Sequence, residues 1–117
     1  MNIHTKYMGL ALNSPIVVSA STLSEQTANI VQMEEYGAGA VVMSSLFEEQ
    51  IRREEEKFRT VMSETSYSFA EALDYFPDLT EFNVGSDEYL ENIRKAKERV
   101  KIPVIASLNG ITNEGWI

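Results

Sequence analysis

Cysteine is absent from this 117-residue chain, which excludes disulfide frameworks, thiolate metal sites and a cysteine nucleophile within it. Histidine occurs once, as His4. Basic residues are few: ten Lys and Arg stand against eighteen Asp and Glu, a formal net charge of -8. A polyanion binder needs an excess of cations to displace counterions, so the balance disfavours nucleic acid and anionic membrane, and neither is expected as a partner. An anionic small molecule is still open to capture by backbone N–H groups. Long apolar runs are also missing. Runs such as Pro15 to Val18 are far too short to span a bilayer, and Met1 to Lys6 has no signal core behind it. With 44% hydrophobic and 24% charged residues, the composition is that of a globular domain, and a soluble protein of the reducing cytoplasm is expected.

What is present is a strand-helix-strand-helix-strand progression. Residues 2–12 alternate loosely around Gly9, which predicts a β-hairpin turning near Met8-Gly9. Asn13-Ser14-Pro15 breaks the chain, and Ile16 to Ala20 is β-branched and apolar without alternation, the pattern of a strand buried on both faces. Ser24 with Thr27 makes an incomplete capping box for a helix from about Glu25 to Tyr36, with Gly37 placed for a left-handed C-cap. Ala38 to Met43 is a second all-apolar strand, ending at Ser44-Ser45, so residues 13–45 make one βαβ unit.

From Leu46 to Met62 the spacing of Phe47, Ile51, Phe58 and Met62 predicts an amphipathic helix laced by Glu48/Arg52, Glu49/Arg53 and Glu55/Arg59 pairs. Ser68 to Glu71 is a capping box for a short helix through Tyr75, which Pro77 terminates, and Asp78 to Gly85 reads as loop. Ser86 or Asp87 caps a third helix through Val100, with Tyr89, Leu90, Ile93 and Ala96 on one stripe and basic residues toward its C-terminal end. Ile102 to Leu108 is the third core strand, Asn109-Gly110 closes it, and Thr112 or Asn113 caps a last helix.

Three strands each followed by helical sequence imply a parallel sheet with right-handed crossovers. A (β/α)8 barrel and an open doubly wound sheet both satisfy this. The barrel is favoured by the preceding hairpin and by Ser19 to Ser24, which is no G-x-G-x-x-G phosphate loop. Its usual length of about 250 residues makes this chain the opening portion of such a domain: hairpin 1–12, βαβ unit 13–45, an insertion at the barrel mouth 46–85, then helix, strand and the start of another helix over 86–117.

At its strand ends the chain resembles the dihydroorotate dehydrogenase family of FMN-dependent barrels. The likeness rests on Leu10-Ala11-Leu12-Asn13-Ser14-Pro15-Ile16 leading into Ser19-Ala20-Ser21, on Gly37 to Val42 leading into Ser44-Ser45-Leu46, and on Ile102-Pro103-Val104-Ile105-Ala106-Ser107. It covers nearly the whole chain, most weakly over 46–85. The resemblance implies a TIM barrel with FMN at the C-terminal mouth of its strands, and an oxidoreductase of pyrimidine metabolism that exchanges hydride between the flavin and a CH–CH group beside a carbonyl. It places Ser19, Ala20 and Ser21 against the flavin, where small residues let a flat ring approach the backbone, with Ser44, Ser45 and Asn109 as further FMN-binding candidates. The intact protein would be a homo-oligomer acting on a small-molecule substrate.

The chain also departs from the family. Ser44-Ser45 stands where close cytosolic members have Lys-Ser, so a cation that would stabilise reduced flavin is missing. The substrate loop Asn-Ser-Met-Gly-Leu-Pro-Asn is replaced by Ser63 to Phe69, which argues against orotate. The family's catalytic Cys or Ser follows the fourth strand, beyond Ile117, so no catalytic residue is expected here, and this stretch alone would bind FMN weakly and turn nothing over.

Plainer readings stand beside these. Serines ending a strand commonly satisfy local backbone, and Asn-Gly is foremost a turn signal. His4 belongs to the hairpin, away from a barrel's active end. Glu48, Glu49 and Glu54 to Glu56 read as a salt-bridged surface rather than metal ligands. Tyr67, Phe69, Tyr75, Phe76 and Phe82 suit a substrate lid, a subunit interface or a small local core. Two rival functions follow: a non-catalytic module that docks a partner protein through this aromatic, acidic insertion, and another barrel enzyme, such as an aldolase or phosphate-ester synthase.

Overall fold

The computed structural model describes residues 1–68 and 85–116. Thr5–Tyr7 (β1) and Leu10–Leu12 (β2) pair antiparallel, Thr5 opposite Leu12 and Tyr7 opposite Leu10. Met8 and Gly9 both take positive φ, 52° and 74°, as a two-residue type I′ turn demands, because its twist matches that of the strands it joins. The predicted hairpin is therefore present, and of its paired residues only Leu12 is buried.

Val17–Val18 (β3), Ala40–Val42 (β4) and Val104–Ile105 (β6) form a parallel sheet in the order β3-β4-β6. Thr27–Glu35 (α1) connects the first two, and Gly85–Arg99 (α3) precedes the third and packs on α1. The chain is a mixed α/β protein, and its described residues close no barrel. Each strand is shorter than its apolar run. The expected burial on both faces holds at β4, where consecutive Ala40 and Val41 are both fully buried, and not at β3 and β6, whose residues are only half-buried. Val41 and Met43 join Ile30, Ala96 and Val100 in the core, with Val18, Val104, Tyr89 and Ile93 packed against it. Val17, Val42 and Ile105, at the alternate positions, lie outside that cluster and stay half-buried. With a radius of gyration of 19.1 Å, against about 13 Å for a compact chain of similar length, the molecule is extended, 70 × 31 × 19 Å.

The end of α1 follows the sequence closely. Ala38 N–H donates to Met33 C=O and Gly37 N–H to Glu34 C=O, both at 3.0 Å, the paired bonds of a Schellman motif with Gly37 at φ +97°. The Glu34 carboxylate in turn accepts Lys101 N–H at 2.6 Å and Ile102 N–H at 3.0 Å, joining α1 to the start of the third strand.

Local expectations fail in several places. Leu46–Phe47 is a strand (β5), and the helix that follows (α2) runs Glu48–Ser68. Leu46 and Phe47 pair in parallel with Leu108 and Asn109 of Leu108–Asn109 (β7), so a partner 62 positions away overrides helical periodicity. Ser24 caps nothing: it is fully buried and donates to Ser21 C=O at 2.8 Å, while Gln26 begins α1 without a side-chain cap. Gly85 belongs to α3, not to a loop. Of the three predicted pairs on α2 only Glu48–Arg52 closes, at 2.8 Å. The last helix is a 3₁₀ turn, Glu114–Trp116, whose Gly115 N–H is capped by the Thr112 hydroxyl at 3.1 Å. The short helix beyond Ser68, Pro77, and the aromatics Phe69, Tyr75, Phe76 and Phe82 fall outside the described residues, as does the Tyr67 side chain. Among the described residues no helix is long and apolar enough to cross a membrane.

Candidate functional site

Parallel pairing brings the C-terminal ends of β3, β4 and β6 to one edge of the sheet, the end where ligands of parallel α/β sheets bind. After β3 come Ser19 and Ala20, both exposed, and half-buried Ser21. Ser21 is extended, φ -159°, and its carbonyl starts the Thr22–Glu25 3₁₀ turn by accepting Ser24 N–H at 3.2 Å. Ser44 and Ser45 follow β4, both half-buried. Asn109 lies in β7 opposite Phe47, with an exposed side chain, so it extends the third strand where a closing turn was expected.

Between β4/β6 and β5/β7 the register slips. Val42 pairs with Ile105 and Leu46 with Leu108, which leaves Met43, Ser44 and Ser45 facing Ala106 and Ser107. One extra residue on the second strand is a β-bulge, a device that re-aims side chains and is frequent beside functional sites. Here it sets the Ser45 and Ser107 hydroxyls 2.7 Å apart. Tyr89, reaching over from α3, donates its hydroxyl to Ser107 C=O at 3.2 Å and accepts Ser107 N–H at 3.0 Å.

Beside this rim stands Glu48, the first residue of α2. Its side chain accepts Ile111 N–H at 2.6 Å, Thr112 N–H at 3.0 Å and the Thr112 hydroxyl at 2.6 Å, and pairs with Arg52. The Thr112 hydroxyl and the two backbone N–H groups hold its pKa down to about 2. Expected as part of a solvated surface, Glu48 is instead only 8% exposed and fastens α2 to the segment after β7. Of the rest of the acidic run, Glu49, Glu55 and Glu56 stay exposed, as read from the alternation of charge, while half-buried Glu54 accepts Gly85 N–H at 3.1 Å.

The structure thus joins Ser45 to the third strand, keeps Ser44 next to it and Asn109 two residues past Ser107, and puts Ser19 to Ser21 at the end of the neighbouring strand. His4 is exposed in the hairpin, far in topology from this edge. Three residues here went unread as site residues. Ser107 had a visible signal, a hydroxyl ending an apolar strand; Tyr89 and Thr112 had none, since Tyr89 fits an apolar stripe and Thr112 a helix cap.

Chemically the rim offers hydroxyls, one amide and backbone groups, with no cation among Ser19–Ser21, Ser44–Ser45 and Ser107–Asn109. Among the described residues no cluster of His, Asp and Glu is arranged to hold a metal ion. Small side chains stand at the ends of β3 and β4, with exposed Phe47 and Leu108 nearby. Comparison of the chain with protein-family models, with curated proteins and with solved structures finds no match.

Proposed function

We propose that this chain is the N-terminal portion of an FMN-dependent (β/α)8 oxidoreductase, dihydroorotate dehydrogenase-like, acting on the CH–CH group of a small cyclic substrate. The observation that carries this reading is the strand-end rim: three parallel strands in consecutive order deliver Ser19–Ser21, Ser44–Ser45 and Ser107–Asn109 to one edge. The half-buried outer strands β3 and β6 and the extended shape agree with a sheet whose remaining strands belong to the same domain.

Ser19, Ala20 and Ser21 would lie against the flavin ring, and the hydroxyls of Ser44 and Ser45 with the Asn109 amide would meet its polar edge. When bound, FMN would supply the hydride acceptor. This chain's own part is to orient the ring and exclude water from one side of it. No residue of the rim is placed to take a proton from carbon, because serine and asparagine side chains are not basic at neutral pH unless a base activates them. The absence of a cation leaves charge stabilisation of reduced flavin to groups outside this rim.

Titration of the chain with FMN, followed by backbone amide shifts, tests the reading. Weak binding with shifts concentrated at residues 19–21, 44–45 and 107–109 is expected, and adenosine monophosphate should not reproduce them. Shifts confined to α2 or the hairpin, or none at saturating FMN, would refute it.

A further inference from the structure

The bulge at Met43 to Ser45 has a cause outside the two strands that form it. In the regular part of the ladder Val41 N–H donates to Pro103 C=O at 3.0 Å and Met43 N–H to Ile105 C=O at 2.8 Å. Continued without interruption, parallel pairing would next send Ser107 N–H to Met43 C=O and Ser45 N–H to Ser107 C=O. Neither bond is made. Ser107 C=O receives Leu46 N–H instead, at 2.9 Å, and Ser107 N–H goes to the Tyr89 hydroxyl. A phenol from the helix layer stands where a strand carbonyl belongs.

We infer that Tyr89 is a positioning residue for the rim: by replacing the Met43 carbonyl opposite Ser107 it holds the bulge open and seats the Ser45 and Ser107 hydroxyls as a paired site for an imide or lactam edge of a planar heterocycle. The inference rests on the rim being the ligand-bearing edge. Its ring packs against the core formed by Ile30, Val41, Met43, Ala96 and Val100, so the hydroxyl is delivered from a rigid support. Both polar groups of Ser107 backbone are thereby satisfied at a place where a bulge would otherwise strand the N–H. Two hydroxyls at 2.7 Å share one hydrogen bond, which leaves one O–H proton to donate and oxygen lone pairs to accept. That is the complement of an adjacent C=O and N–H on a ring.

Amide hydrogen exchange in Tyr89→Phe, which keeps the ring and removes the hydroxyl, is the direct test. Exchange at Ser107 should quicken about tenfold, the loss of one hydrogen bond, with Val41 and Met43 unchanged. An unaltered Ser107 rate overturns the inference, and so does an equal rise at all three amides, which would make Tyr89 a packing residue only. Should the variant not fold, the wild-type chain decides: Ser107 protected to the order of Met43 supports the inference, and an unprotected Ser107 overturns it. Uracil serves as the ligand probe. It should shift the Ser45 and Ser107 signals, about tenfold more weakly in Tyr89→Phe by the same single-bond argument, and dimethyluracil, which lacks both N–H groups, should not. Uracil without effect at those residues overturns the ligand class, and FMN shifts confined to residues 19–21 in the same sample would show that the flavin reading stands without it.

Discussion

Glu48 and Thr112 stand 64 positions apart and close on each other through two hydrogen bonds, the Glu48 side chain accepting both the N–H and the hydroxyl of Thr112. The contact fastens the first turn of α2 to the segment that follows the third strand, and it does so with a charge, since Ile111 N–H and the Arg52 guanidinium complete the carboxylate's surroundings.

Acid should therefore loosen this junction. The folded Glu48 pKa of about 2 lies below its ordinary value of 4.5, so the carboxylate contributes stability that is fully present above about pH 4.5 and is lost as pH falls toward 2. Urea unfolding midpoints should be flat near neutrality and decline through that window. Glu48→Gln should lower the midpoint at pH 7 and flatten the decline. A smaller acid sensitivity should remain, because Arg94 also holds the Glu91 carboxyl below its usual range.

The close approach of Gly39 to the segment after the hairpin makes a second site of sensitivity. A Cβ there would fall on the Ser14 carbonyl oxygen, a backbone atom that cannot swing aside. Gly39→Ala should cost about 1–3 kcal/mol, read as a shift of the denaturation midpoint, whereas the exposed Ala28→Gly should cost about 1 kcal/mol by helix propensity alone.

Met8 offers the opposite outcome. A methionine at φ 52° pays the steric cost of the left-handed region, about 1–2 kcal/mol, which asparagine bears more easily in a type I′ turn. Met8→Asn should stabilise the hairpin by up to about 1 kcal/mol, seen as slower amide exchange across Thr5–Leu12 with α1 unaffected.

In the core, Ile30 has no exposed surface and packs where α1 meets the sheet and α3. Ile30→Ala should cost about 2–5 kcal/mol, enough to abolish cooperative unfolding where the described residues share one small core cluster. Persistence of a sharp thermal transition would show that the sheet is held elsewhere.

Much of the fold was legible in short-range chemistry. Met8-Gly9 turns where it was expected because positive φ is a local requirement, and Gly37 ends α1 because a Schellman motif needs only six consecutive residues. The apolar runs at 16–20, 38–43 and 102–108 each yielded a strand. The rim's strand ends were legible in part: Ser44 and Ser45 follow their strand as the apolar run implies, whereas Asn109 was read as a turn and Leu46 and Phe47 as helix, because two residues carry too little periodicity to resist it.

The βαβ order of the three core strands, the hairpin, the C-terminal end of α1 and the acidic balance were determined by the sequence itself, since each depends on neighbours within a few positions or on composition. The bulge at Met43 to Ser45, the Tyr89 hydroxyl in the ladder, the pairing of Ser45 with Ser107 and the burial of Glu48 were decided by the tertiary structure. They join atoms 18 to 64 positions apart, and no local propensity records which distant hydroxyl or N–H will arrive.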